Sequence, residues 1–164
     1  MSGAREDILA LLESNSRLLP EDLAERLGLS AEFVSGELGR MCDEQVICGY
    51  NTLINWEKTN KELVTALIEV RVTPQRGLGF DKIAERIYLF DEVKAVYLMS
   101  GGFDLTVIIE GGNIKDVAYF ISDKLAPMES VQSTATHFVL KKYKDHGIVL
   151  EKQRKDDERM IVSP

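Results

Sequence analysis

The stretch Pro20-Glu21-Asp22-Leu23-Ala24-Glu25-Arg26-Leu27-Gly28-Leu29-Ser30-Ala31-Glu32-Phe33-Val34 decides how the chain is read. Pro20 suits a first helical position, where its missing N–H would be unpaired anyway, and Glu21 and Asp22 complement the positive end of the helix dipole. Leu23, Ala24 and Leu27 recur at helical spacing as an inner face. Gly28 supplies the left-handed stop, Leu29 plugs the turn, and Ser30 is an N-cap for the next helix. Phe33, Val34, Leu38 and Met41 carry the apolar side of that helix. Two short helices joined through Gly-Leu-Ser form a helix-turn-helix pattern, and the small Ala24 lets the helices approach closely. The motif is short, so a helical hairpin with no nucleic-acid role fits the same spacing.

Outward from this core, Ile8, Leu9, Leu11 and Leu12 stripe a preceding helix that stops near Ser14-Asn15-Ser16. Downstream, Val46–Ile54 is strand-like on both sides of a Gly/Asn bend, which predicts a wing. Trp56 and Lys58 lead into a second domain, with Trp56 expected to pack between domains or subunits. From residue 61 the pattern becomes mixed α/β. Leu63–Thr73 predicts a strand, and Phe80, Ile83, Ala84, Ile87 and Tyr88 a helix. Val93–Met99 and Asp104–Glu110 predict a hairpin. Ile114–Leu125 predicts a helix through Val117, Ala118, Phe120 and Ile121, ended by Pro127, and Val131–Tyr143 a long fourth strand. The order β-α-β-β-α-β is a split βαβ unit with helices on one face of an antiparallel sheet. Its other face must be covered, so a partner subunit is expected. The fold class is therefore α+β. Residues 1–58 form a winged helix-turn-helix with a linker strand, 59–146 the βαββαβ ferredoxin-like domain, and 147–164 a charged extension with a terminal strand at Arg159-Met160-Ile161-Val162.

At 45% hydrophobic and 29% charged residues the chain is ordinary for a globular protein, and no apolar run reaches the length of a membrane span. The opening Met1–Asp7 lacks a basic segment leading into an apolar one, so a cytoplasmic location is expected. Cys42 and Cys48 have no Cys or His companions for zinc and read as buried small side chains. His137 and His146 have no catalytic neighbours in sequence. No catalytic constellation or P-loop is present, so an enzyme is the weakest reading, and no cofactor or metal is expected. The net charge of −7 is uneven: residues 1–60 hold five basic against eleven acidic groups. That is a poor electrostatic footprint for phosphate.

The helix-turn-helix with Leu29-Ser30, the run Val46-Ile47-Cys48-Gly49-Tyr50, and Ser100-Gly101-x-x-Asp104 within βαββαβ resemble the leucine-responsive regulator/asparagine-regulator (Lrp/AsnC, feast/famine) family. The resemblance covers residues 4 to about 145. It implies a transcription regulator that dimerises through its sheet domains, often builds tetramers or octamers, and binds an effector, usually an amino acid, between subunits. The family's effector loop maps onto Met99, Ser100, Gly101, Gly102, Phe103 and Asp104, and its fourth-strand polar groups onto Thr134 and Thr136, with Ser133 nearby. Glycines let backbone N–H groups approach a carboxylate, and Asp104 can accept from an α-ammonium; a plain hairpin loop has the same composition.

For double-stranded DNA, the resemblance implies contacts from the second helix of the motif. The family usually carries Arg immediately before the position of Leu38, whereas this chain has Glu37. The conventional contacts are then Ser35 and Arg40, with Ser30, Arg17 and Lys58 beside them, and Glu37 as an acceptor for cytosine. DNA binding that depends on several linked subunits is expected, the alternative being a sensing and assembly module whose helix-turn-helix no longer binds DNA strongly.

Overall fold

The structure, a computed structural model, describes residues 2–73 and 79–151. The chain divides into two compact units, residues 1–54 and 55–164. The turn Trp56–Lys58, read above as the tail of the first domain, groups with the second.

The first unit contains three helices, α1 (Ser2–Ser14), α2 (Pro20–Leu27) and α3 (Ala31–Asp43). Their core is Ile8, Leu12, Leu23, Ala24, Val34 and Met41. Leu19 precedes α2 and has no side-chain acceptor, but the Asp22 carboxylate accepts from the Leu19 N–H at 3.1 Å, supplying half of a capping box. Gly28 ends α2 at φ 66°, and the N–H groups of Gly28 and Leu29 both return to the Ala24 carbonyl. Ser30 then caps α3, its Oγ accepting from Phe33 N–H at 3.2 Å.

The far end of α3 closes in a Schellman motif: Gln45 N–H donates to Cys42 O and Val46 N–H to Met41 O. The left-handed residue this motif needs is Gln45, at φ 58°, where glycine is usual. Ile47 N–H also bonds to Met41 O. This corrects the expected wing. Residues 46–54 contain no strand, because the first two amides of the segment are spent on capping α3 instead of pairing across a hairpin. The same cap leaves Cys42 and Cys48 exposed, against the buried reading; the Cys48 thiol donates to Gln45 O at 3.1 Å.

In the second unit, β1 (Val64–Val72), α4 (Gly79–Tyr88), β2 (Val93–Leu98), β3 (Leu105–Gly111), α5 (Ile114–Tyr119) and β4 (Val131–Phe138) follow in the expected order. The sheet runs β2-β3-β1-β4 with every neighbouring pair antiparallel. β1 and β2 are thus parallel with β3 between them, and β3 and β4 are parallel with β1 between them, two interlocked split βαβ units. Alternation places Ala66, Ile68, Val70, Leu105, Val107 and Ile109 on one face, packed with Ile83, Ile87, Val117, Phe120 and Leu125.

The predicted helix 114–125 is not continuous. Asn113 and Asp116 form a full capping box at its start, but Phe120–Leu125 winds as a π-helix. Phe120 and Leu125 would lie about 140° apart on an α-helix; the wider π-turn brings both into the core, while Ala118 is exposed. The fourth strand ends at Phe138 rather than Tyr143. Val139 N–H still reaches Thr65 O, and the chain then enters a small hairpin, β5 (Lys144–Asp145) with β6 (Ile148–Val149). Its turn residues His146 and Gly147 both have positive φ, 43° and 79°, as a type I′ turn requires. The terminal strand expected at 159–162 lies outside the described residues, as do residues 74–78 between β1 and α4.

Candidate functional site

Two places gather the residues singled out from the sequence. The first is the exposed side of α3. Ser35, Gly36, Gly39 and Arg40 lie on it, and so does Phe33, which is 43% exposed and not part of the core. The buried stripe instead runs Val34-Glu37-Met41, with Leu38 only partly buried beside it. Glu37 is therefore corrected from an exposed group to a buried one, 8% exposed, and cannot itself reach a groove.

Two arginines hold the Glu37 carboxylate. Arg40 Nη1 donates to Oε1 at 2.5 Å, and Arg5 Nε from α1 stands 3.1 Å from Oε2. This second contact has ion-pair distance but no hydrogen-bond alignment. Arg5 also donates through Nη2 to Glu44 at 2.8 Å, and this contact, followed by the charges of Glu44 and Glu37, raises its pKa against the opposing effect of burial.

Gly36 and Gly39 sit inside α3, where glycine costs about 1 kcal/mol relative to alanine. Neither has positive φ, and a Cβ at either would meet nothing within 4 Å. Packing among the described residues gives no reason for them. Ser30 is occupied as the N-cap, Arg17 is exposed between α1 and α2, and Lys58 belongs to the other unit.

The second place is one end of the sheet. The loop Met99–Asp104 joins β2 to β3 beside the end of β1. Asp104 is bound to that end two ways: its N–H donates to Val70 O at 3.1 Å and its Oδ2 accepts from Val72 N–H at 2.9 Å, while its carbonyl closes the loop by accepting from Met99 N–H at 2.8 Å. The carboxylate thus seats the loop on β1 where the β1–β4 register shifts, between Arg71 and Val72. Phe103 is half-buried, while Ser100, Gly101 and Gly102 are exposed, with open space beyond both glycines.

Across β1, Ser133 stands opposite Arg71, Thr134 opposite Val70 and Thr136 opposite Ile68. Directly opposed residues share a face, so Thr134 and Thr136 point to the helix side and Ser133 to the open side. The backbones of Leu105 and Thr134 flank Val70 from either side, about 10 Å apart at two strand spacings. The predicted loop and strand residues therefore converge on one end of the sheet, but the three hydroxyls do not share one surface. Among the described residues no cluster of His, Cys, Asp or Glu could hold a metal, and no helix is long and apolar enough to cross a membrane.

Residues 65–149, most of the second unit, match the model of the Lrp/AsnC ligand binding domain. The chain belongs to the Lrp/AsnC family. The HTH-type transcriptional regulator YugG of Bacillus subtilis is 50% identical over 159 residues, 96% of this chain and 95% of that protein. The proline dehydrogenase transcriptional activator of Rhizobium radiobacter is 26% identical over 86% of this chain and 90% of its own. A Neisseria meningitidis transcriptional regulator solved in complex with L-methionine superposes with a TM-score of 0.69 at 25% identity, over 87% of this chain and 91% of that one. All three relatives are named as transcriptional regulators or activators, and each match covers more than four-fifths of this chain, both the helix-turn-helix and the sheet.

Proposed function

We propose that this Lrp/AsnC chain is a sequence-specific DNA-binding regulator whose affinity for DNA is set by a small effector, an amino acid, bound between subunits of an oligomer. The observation that carries the DNA half is the surface of α3. Two helix-weakening glycines face open space beside Ser35 and Arg40, an arrangement that makes sense where a duplex backbone comes close. Glu37 is buried between two guanidiniums, so its carboxylate does not stand bare against phosphate. The acidic balance of residues 1–60 still favours weak binding per subunit, strengthened by linking subunits.

The effector half rests on the loop Met99–Asp104 and the start of β4. Gly102 has no positive φ and no close neighbour, so its missing side chain is left for something outside the subunit. The L-methionine held by the Neisseria relative supports an amino acid as the chemical class. Self-association is proposed through the helix-free face of the sheet, where Leu67 and Ile108 stand opposite one another, only partly buried.

A gel-shift titration with DNA from upstream of the protein's own coding region tests this reading. A retarded band that weakens steeply with salt, and moves in affinity when one amino acid is added, is expected. No band at low salt, with or without each amino acid, refutes the DNA-binding role and leaves a sensing and assembly module.

A further inference from the structure

We infer that Glu37 is a positioning residue that aims Arg40 at DNA. The inference rests on the proposed DNA-reading role of α3. An exposed arginine on a helix ordinarily samples many rotamers, and fixing one on binding costs conformational entropy. Arg40 is different. Its side chain is 71% exposed, yet Nη1 is bonded to a carboxylate that is only 10% exposed. Behind that carboxylate stands Arg5 of α1 at ion-pair distance, its own guanidinium hydrogen-bonded to Glu44 just beyond α3. The chain Glu44–Arg5–Glu37–Arg40 therefore starts at the end of α3, passes through α1 and returns to the exposed side of α3.

A guanidinium has five N–H donors. Glu37 takes one from Arg40, leaving the others for the two acceptors of a guanine edge or for a phosphate. Glu37 also balances the charge of Arg40, so the fork is presented without a net positive surface. Readout by a held, charge-balanced fork favours the right base over phosphate in general.

Two simpler roles for Glu37 predict different behaviour. If it merely silences positive charge, removing its charge tightens binding to every duplex alike. If it merely ties α1 to α3, its loss lowers the melting temperature but leaves base preference intact below the transition.

The test compares affinity for the protein's own upstream DNA with affinity for a shuffled duplex of equal length. The proteins are the wild type, Glu37→Met, Arg40→Ala, the double variant and Arg40→Lys, each first checked by circular dichroism. Methionine has the length of glutamate and suits a buried site, but offers Arg40 no oxygen acceptor. Arg40→Ala should cut the preference for upstream DNA by roughly tenfold or more, the loss of one good base contact. Glu37→Met should lose most of the same factor while binding shuffled DNA at least as well as wild type. The double variant should be no worse than Arg40→Ala. Arg40→Lys leaves Glu37 in place and should keep shuffled-DNA affinity but lose preference. Losses that add in the double variant, or full preference in Glu37→Met or Arg40→Lys, overturn the inference alone. A wild type with no preference for any upstream fragment overturns the DNA-reading role of α3 and the inference with it.

Discussion

Replacing Asp104 separates two jobs that one carboxylate can hold. Its Oδ2 accepts from Val72 N–H at 2.9 Å, and Val72 is 5% exposed at the β1 register shift. In Asp104→Ala that amide loses its acceptor where little water can replace it. A hydrogen bond to a charged group contributes about 1.5–3 kcal/mol, and an orphaned buried donor costs about 1–3 kcal/mol, so a loss of about 2 kcal/mol is expected. Asp104→Asn keeps a carbonyl oxygen for Val72 and should lose less than half as much. Urea unfolding followed by circular dichroism measures both, with the slope checked for constancy. If Asp104→Ala unfolds at the wild-type midpoint, the Val72 amide is satisfied some other way and the structural argument fails. The asparagine variant then isolates the chemistry. If the carboxylate also receives an α-ammonium, Asp104→Asn should remain folded but lose the amino-acid-dependent thermal shift. A full shift in that variant removes Asp104 from the effector contacts.

Gln45→Gly should raise the melting temperature by a few degrees. Relief of a left-handed non-glycine residue at φ 58°, about 1–2 kcal/mol, outweighs the extra chain entropy of glycine, about 0.5–1 kcal/mol; a lower melting temperature would contradict the cap assignment. Ser30→Ala removes the cap on α3 and should cost about 1 kcal/mol in a denaturant titration, whereas Ser30→Asp should restore it. The Glu92 carboxyl is held below its ordinary range, first by the hydrogen bond from Lys124, then by its own backbone N–H and by the charges of Lys124 and Lys94, against the opposing effect of burial. Because the folded value lies below the unfolded one, this stabilisation is present above the usual carboxylate range and is lost as pH falls through the folded value. Lys124→Met should therefore melt below wild type at neutral pH, with the gap closing on the acid side; a gap that stays constant to pH 3 would speak against the pair.

The parts of the fold legible in the sequence are those with strong local signals. Gly28 and Ser30 fix where α2 stops and α3 begins, and the two-residue alternation of β1 and β3 fixes the faces of the sheet. Glu37 was not legible, because a carboxylate inside an apolar stripe is recognised only when its partner is known, and Arg5 lies on another helix. Val46–Ile54 carries strand propensity, yet the cap at Gln45 takes its first amides; nothing in residue preference reveals a left-handed glutamine. The β5–β6 hairpin did leave a signal, the turn residues Asp145-His146-Gly147 ahead of Ile148-Val149-Leu150, at a place where the apolar pattern of β4 ran on too far. At the sheet end, the loop and the start of β4 lie near one another, but the split of Ser133 from Thr134 and Thr136 depends on register, which no single strand encodes.

The strand order has a consequence for the order of events during synthesis. Helices α1 to α3 contact near neighbours in sequence and can assemble as soon as residues 1–54 are clear of the ribosome. The strand that follows cannot. Val64 pairs with Gly111 and Val70 with Leu105 on one side, and Ala66 with Phe138 on the other, so β1 emerges with both hydrogen-bonding edges open and waits for β3, then for β4. During that interval Thr65-Ala66-Leu67-Ile68-Glu69-Val70 is an unpaired apolar strand in a nascent chain. Glu69 and Arg71, set among these apolar residues, put charge on that open strand, and charge within an apolar strand is what opposes edge-to-edge joining of two such chains.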